Sequence, residues 1–177
     1  MKLGLNWKQF EHGVLRPTLG KLASVVESGE VAVLLVGETL WHESDQLRAL
    51  GQYPRGKGVF GPGLGLGSME WKTWEWMVEH PLARKPRVLE ALGKATGVQV
   101  EKLEDYGWSH FAWNLALAVA GTRLRYWVDA RPLPGVEGGL DARAEAWFTI
   151  YNGSGRVERK GKFVKDARVI PWESQVS

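Results

Sequence analysis

Residues 109–128, SHFAWNLALAVAGTRLRYWV, constrain the fold more than any other stretch. The run is apolar on nearly every face, which is the pattern of a helix enclosed on all sides rather than one lying on a surface. Such a helix needs other elements wrapped around it, so the expected architecture is a mainly α single domain around a central buried helix. Length agrees, because 177 residues at 44% hydrophobic fill one core and not comfortably two. The run is not a membrane span: Asn114 interrupts it, VAVLLVG stops at Glu38, and no apolar stretch reaches the roughly 20 residues a span needs.

The elements that would surround it are also helical. RPTLGKLASVVES has proline near its start, where the missing N–H costs nothing, and a glycine stop at Gly29. Helical periodicity runs from Val31 to about Leu47, and SMEWKTWEWMVEH starts at a Ser68 N-cap and stops before Pro81. RVLEALGKATG, LDARAEAWFTIYN and GKFVKDARVI supply three more. Strand signals are few and no long repeat is visible. Residues 1–15 lack periodicity and read as an N-terminal arm, 16–170 as the domain, and 171–177 as a C-terminal tail.

Several function classes are disfavoured at once. The chain has no cysteine, so disulfides, thiolate nucleophiles and thiolate metal sites are excluded. Its net charge of +3 is spread among acids and gives no basic face for nucleic acid. His12, His42, His80 and His110 are scattered without ligand spacing, so neither a metal nor any cofactor is implied. The N-terminus, MKLGLNWKQFEHG, has no apolar segment, so a soluble product made in a cytoplasm without a signal peptide is expected, and the NGS sequon at Asn152 is set aside. Ten tryptophans suit either a helical core or a groove that stacks on sugars, and core is the simpler reading.

Residues 51–67, GQYPRGKGVFGPGLGLG, tempt a nucleotide reading. GQYPRGKG is one residue from a P-loop and GKGVFG satisfies G-x-G-x-x-G, but the first lacks the hydroxyl at Gly58 and both follow a helix where a strand is required. No nucleotide is expected, and the run reads as a surface loop.

The residues before that loop are more informative. At about 100° per residue, Val36, Leu40, Glu43 and Leu47 fall within about 60° of one another, so a carboxylate is carried on the apolar face. Glu38 and Asp45 point elsewhere and read as solvated acids. Removing a carboxylate from water disfavours its charged form and raises its pKa, which keeps an acid protonated and able to donate near neutral pH. The same placement also fits a glutamate bonded inside a core with no chemistry.

Three blocks follow in order: HES at residues 42–44, GLGS at 65–68 and YNGSGRV at 151–157, with WNLALAVAGTRLRYW before the last. In that order the chain resembles the soluble lytic transglycosylase and goose-type lysozyme superfamily, over roughly residues 31–157. A closer resemblance is to a group of tailed-phage virion proteins that carry this domain. They combine an Arg-Pro-Thr-Leu segment (here Arg16 to Leu19), a glutamate-serine helix, a glycine-leucine block, an LRYW-like helix end and a Tyr-Asn. The resemblance implies a lysozyme-like fold, and a virion tail component that meets or opens peptidoglycan during DNA delivery, partnered by other tail proteins and open to oligomerisation in the particle.

It also implies site residues. Glu43 would protonate the glycosidic oxygen between MurNAc and GlcNAc, then take the proton of the muramyl 6-hydroxyl to give a 1,6-anhydro end; one enzyme carboxylate suffices, unlike the usual glycosidase pair. Tyr151 matches the family tyrosine near the glutamate. Ser44, Gly65, Leu66, Ser68 and Asn152 match glycan-binding positions, with Ser68 standing where the family has glutamine and Gly67 where it has methionine. Glu70 is the nearest second carboxylate for a hydrolytic route, although a glutamate at a helix start is common for dipole reasons. Trp71 and Trp74 share a face that offers a stacking wall or core packing, and Arg55 and Lys57 could touch anionic wall polymer. The rival expectation is a catalytically inactive structural tail protein that retains the fold as an adaptor or wall-binding module; Gly67 and Ser68 favour it, whereas Glu43 and Tyr151 favour the enzyme.

Overall fold

The computed structural model describes residues 6–50, 63–98, 108–153 and 157–172, with the side chains of Trp108 and Ser109 left aside. Residues 51–62, including Arg55 and Lys57, lie outside the described part, so the readings of that loop do too. The described chain is mainly helical, 67% helix against 3% strand.

Eight α-helices follow in order: α1 (Trp7–Phe10), α2 (Arg16–Leu22), α3 (Glu30–Glu43), α4 (Trp71–Met77), α5 (Pro86–Thr96), α6 (Leu115–Trp127), α7 (Gly139–Ala146) and α8 (Glu158–Ala167). Wide π-helical turns extend α1, α4 and α7 over Glu11–Leu15, Val78–Leu82 and Trp147–Tyr151. A two-residue antiparallel ribbon, β1 (Gly63–Leu64) and β2 (Met69–Glu70), pairs Gly63 with Glu70 and Leu64 with Met69.

Helix α6 is the central element. Asn114 caps it by accepting from the Leu117 N–H at 2.9 Å, and every residue from Leu117 to Leu124 is buried. It packs against α2, α3 and α5, the ribbon and the π turn after α7. Arg123 is a charge in this interior; its guanidinium donates to the Glu27 carbonyl, and burial lowers its pKa to about 10.

The structure departs from the sequence reading in several places: the N-cap of α4 is Glu70 rather than Ser68 and its π turn runs through Pro81, and α2 ends at Leu22, short of Gly29. Residues 6–15 are no arm: Asn6 caps α1, and Trp7, Phe10 and Leu15 are buried in the core. A tail beginning at 171 also fails to describe Trp172, whose ring meets Trp7 edge-on at 4.7 Å over Gly37, where a Cβ would sit 2.6 Å from the indole. The helix bearing Glu43 ends there rather than at Leu47, because Asp45, Gln46 and Leu47 all take left-handed backbone angles. Glu38 is not solvated either. It is 2% exposed and holds Arg143 of α7 through two 2.8 Å hydrogen bonds, an arrangement that 100° spacing alone does not reveal because α7 closes over the polar side of α3.

The Arg-Pro-Thr-Leu segment has a structural role. Pro17 starts α2, Thr18 and Leu19 are buried, and Arg16 bridges Glu11 at 2.8 Å and Glu30 at 2.8 Å, tying α2 to the start of α3.

Candidate active site

Glu43 is the last residue of α3, and its side chain opens into a cleft of about 250 Å³. Ser68, Met69, Glu70, Thr73, Arg125, Tyr151, Asn152 and Gly153 complete the walls. Three chain segments distant in sequence therefore meet around one carboxyl: the ribbon and the start of α4, the last turns of α6, and the π turn with its exit.

Burial by the surrounding protein raises the Glu43 pKa to about 7, against opposing pulls from the Trp147 hydrogen bond, Arg159, Lys162 and Ser68. The C-terminal end of a helix carries partial negative charge, which disfavours a carboxylate there as well. Trp147 Nε1 donates to Glu43 Oε1 at 3.1 Å. That indole is 1% exposed, stacks on Phe163 at 4.8 Å and meets the edge of His42 at 4.8 Å. His42 in turn bonds Asp166 at 2.6 Å through Nδ1, and burial lowers its pKa. The result is a packed backing of Asp166, His42, Phe163 and Trp147 that fixes one carboxylate oxygen of a residue lining the cleft.

The π turn sets the spacing. The Asn152 N–H reaches the Trp147 carbonyl at 2.9 Å, five residues back, and this wide turn points Trp147 and Tyr151 to the same side. Tyr151 does not hydrogen-bond Glu43. Its hydroxyl donates to the Gly67 carbonyl at 2.6 Å and lies 3.3 Å from Thr122 Oγ1, and burial together with the nearby Glu43 charge raises its pKa, so the phenol is neutral. Tyr151 thus lines the cleft as a positioning residue for the Gly67–Ser68 wall. Gly67 makes this possible, because a Cβ there would lie 2.4 Å from Thr122 Oγ1 and 2.7 Å from the Tyr151 hydroxyl.

The other expected binding residues divide. Ser68, at φ +47°, contacts the Glu43 carbonyl at 3.4 Å and lies in the cleft wall, as do Glu70 and Asn152. Asn152 accepts from Arg159 through Oδ1, while its Nδ2 is buried without a partner among the described residues. Ser44 faces inward: fully buried, it bonds the Leu40 carbonyl and the Leu47 N–H, and so closes the helix end. Leu66 is a core residue, 2% exposed, and Gly65 sits at φ +73° beneath the Phe111 carbonyl. Neither reaches the cleft, because the tight turn that delivers Ser68 must bury the residues before it. Trp74 is in the core against Phe111, and Trp71 is exposed.

Sequence reasoning missed Trp147, Thr73 and Arg125. Trp147 stands one turn before Tyr151, a spacing that placed it beside any site Tyr151 serves. Arg125 lies three residues after Thr122 on the same face of α6, a second cation beside Arg123 in a mostly apolar helix.

Among the described residues, no group of three or more His, Asp or Glu converges on a point where a metal could be held, and no helix is long and apolar enough to cross a membrane. No protein-family model matches this chain, and no curated protein or solved structure does.

Proposed function

We propose that this cleft cleaves the β-1,4 glycan strand of peptidoglycan by general acid–base catalysis through Glu43, in a lysozyme-like domain of a phage virion tail protein. The observation that carries the reading is one carboxyl, raised to about 7, held in the wall of a polar cleft by a buried indole donor. An acid with that pKa is substantially protonated near neutrality and becomes a usable base once its proton has gone.

In the proposed reaction the Glu43 proton passes to the glycosidic oxygen as the C1–O bond breaks, giving an oxocarbenium-like sugar. The Glu43 carboxylate then takes the proton of the 6-hydroxyl on that sugar, and the freed oxygen closes on C1 to give the anhydro end. Trp147 favours the carboxylate in the middle of this sequence, when the charge is present. Ser68 offers a hydroxyl to the glycan and Asn152 lines the same cleft, where the family resemblance leads one to expect a longer side chain in place of Ser68. Glu70, exposed in the same cleft, supplies a carboxylate for a water-attack route.

Turbidity loss of purified cell walls tests the proposal. Clearance by the wild type, with loss of at least 100-fold in Glu43→Gln, supports it, in keeping with the usual worth of a positioned acid. No clearance by either protein removes the enzymatic reading and leaves the adaptor reading in its place. Mass spectrometry of released fragments separates anhydro from hydrolysed ends, and so decides between the muramyl 6-hydroxyl and a water beside Glu70.

A further inference from the structure

Arg125 is the one cation among the described residues that line the cleft. It projects from the last full turn of α6, on the same face as Thr122, whose hydroxyl meets Tyr151. The residue is half-buried, and among the described residues its guanidinium makes no hydrogen bond and no ion pair. The nearest acid along the chain, Asp129, is occupied by Arg131, which grips both carboxylate oxygens at 2.8 Å. Glu70 lines the cleft from the ribbon side without pairing with Arg125. Three of the other buried or half-buried arginines are spent on carboxylates or carbonyls: Arg16 on Glu11 and Glu30, Arg143 on Glu38, Arg123 on the Glu27 carbonyl. The Arg125 guanidinium therefore faces the cleft with its donors open to solvent and free for a ligand that enters.

We propose that Arg125 is a specificity residue that receives a free carboxylate of the bound glycan, the lactyl carboxylate of a muramic acid residue from which the peptide has been removed. In peptide-bearing strands that carboxylate is an amide and carries no charge, so the cleft prefers denuded glycan. A planar fork matches a carboxylate through two parallel N–H···O bonds, whereas a neutral amide accepts only one and brings an N–H that meets another donor. This inference rests on the glycan-cleaving reading given above.

The test uses Glu43→Gln protein, so that ligands stay intact, and calorimetric titration with two tetrasaccharides of alternating GlcNAc and MurNAc, one with free lactyl carboxylates and one with lactyl methylamides. The acid form is expected to bind about tenfold more tightly than the methylamide, the worth of one charge-assisted pair. The preference should shrink with added salt and vanish in Glu43→Gln/Arg125→Gln, with the larger loss of affinity on the acid form. Equal affinity for the two sugars in the protein that retains Arg125 overturns the inference while leaving glycan binding intact, and this comparison needs no Arg125 variant to fold. A preference that survives Arg125→Gln overturns it as well. Failure of both sugars to bind sinks the glycan reading itself, and the inference falls with it.

Discussion

The indole N–H of Trp147 and the Oε1 of Glu43 are joined at 3.1 Å across 104 residues of sequence. Of the interactions that favour the Glu43 carboxylate this bond is the strongest, and it opposes the burial that raises the acid's pKa. Trp147→Phe keeps a ring between Phe163 and His42 while deleting the donor. The Glu43 pKa should then climb by about one unit above its value near 7, since a hydrogen bond to a charged group is worth roughly 1.5–3 kcal/mol. A carbon-13 glutamate titration followed by NMR, with Glu43→Gln as the assignment control, reads the shift. An unchanged midpoint would mean that the indole holds the side chain without tuning it.

The raised pKa makes a stability statement whose sign can be worked out. A carboxyl that titrates at about 7 in the folded chain and near 4.5 when unfolded binds more protons folded than unfolded between those values. Stability therefore falls as pH rises through that window and is level above it, by a total on the order of 3 kcal/mol for this one group. Glu43→Gln cannot ionise and escapes the loss. Thermal melts at pH 8 should place the variant above the wild type, and melts at pH 4.5 should bring the two within about 0.5 kcal/mol, as for a near-isosteric change. A variant that is less stable at both values would contradict the buried-acid account.

Gly67 offers a steric test of the wall opposite Glu43. Ala at this position brings a methyl to 2.4 Å from Thr122 Oγ1 and 2.7 Å from the Tyr151 hydroxyl, and neither group can swing away without leaving buried partners. Gly67→Ala should cost about 1–3 kcal/mol, the range for overpacking, and should lower any cell-wall activity by displacing Ser68 and Tyr151 together. Tyr151→Phe removes the hydroxyl's bonds to the Gly67 carbonyl and to Thr122 Oγ1 without overpacking, and chemical denaturation should show a smaller loss of about 1 kcal/mol. If Gly67→Ala proves the milder of the two, the close approach is not maintained in solution.

The central helix, the inward-facing Glu43 and the Tyr-Asn at a helix end were legible in the sequence because each follows from periodicity or a local stop signal. What escaped it were features created by helices meeting. Glu38 reads as solvated on α3 taken alone and becomes buried only when α7 brings Arg143 over it. Trp147 reads as one more core aromatic until Phe163 and His42 turn its N–H toward the cleft. Ser44, Gly65 and Leu66 share motif blocks with true wall residues but point inward, because a chain that reverses sharply at φ +73° and +47° exposes only one residue of the turn. Residues 6–15 carried no helical period for a related reason: a π turn at Glu11–Leu15 breaks the 3.6-residue repeat just where Trp7, Phe10 and Leu15 enter the core.

The Glu38–Arg143 pair gives the last prediction, because it joins α7, which runs on into Trp147, to the helix that ends in Glu43. The carboxylate is 2% and the guanidinium 11% exposed, and the two share a pair of 2.8 Å bonds. Burial pushes the Glu38 pKa up while Arg143 pulls it down, and the two-pronged geometry is that of an ionised pair. Removing one partner strands the other charge, so Arg143→Ala should cost about 3–5 kcal/mol. Replacing both, as in Glu38→Leu/Arg143→Met, removes the desolvation cost along with the attraction and should recover most of that loss. The stability cycle alone would fit any buried ion pair. The link to the site predicts more: in Arg143→Ala the NMR midpoint of Glu43 should move upward as α7 loosens and the Trp147 bond lengthens, and in the apolar double variant it should return. A midpoint that stays near 7 in all three proteins would show that α8 packing against Trp147, rather than the buried pair, keeps the indole on the acid.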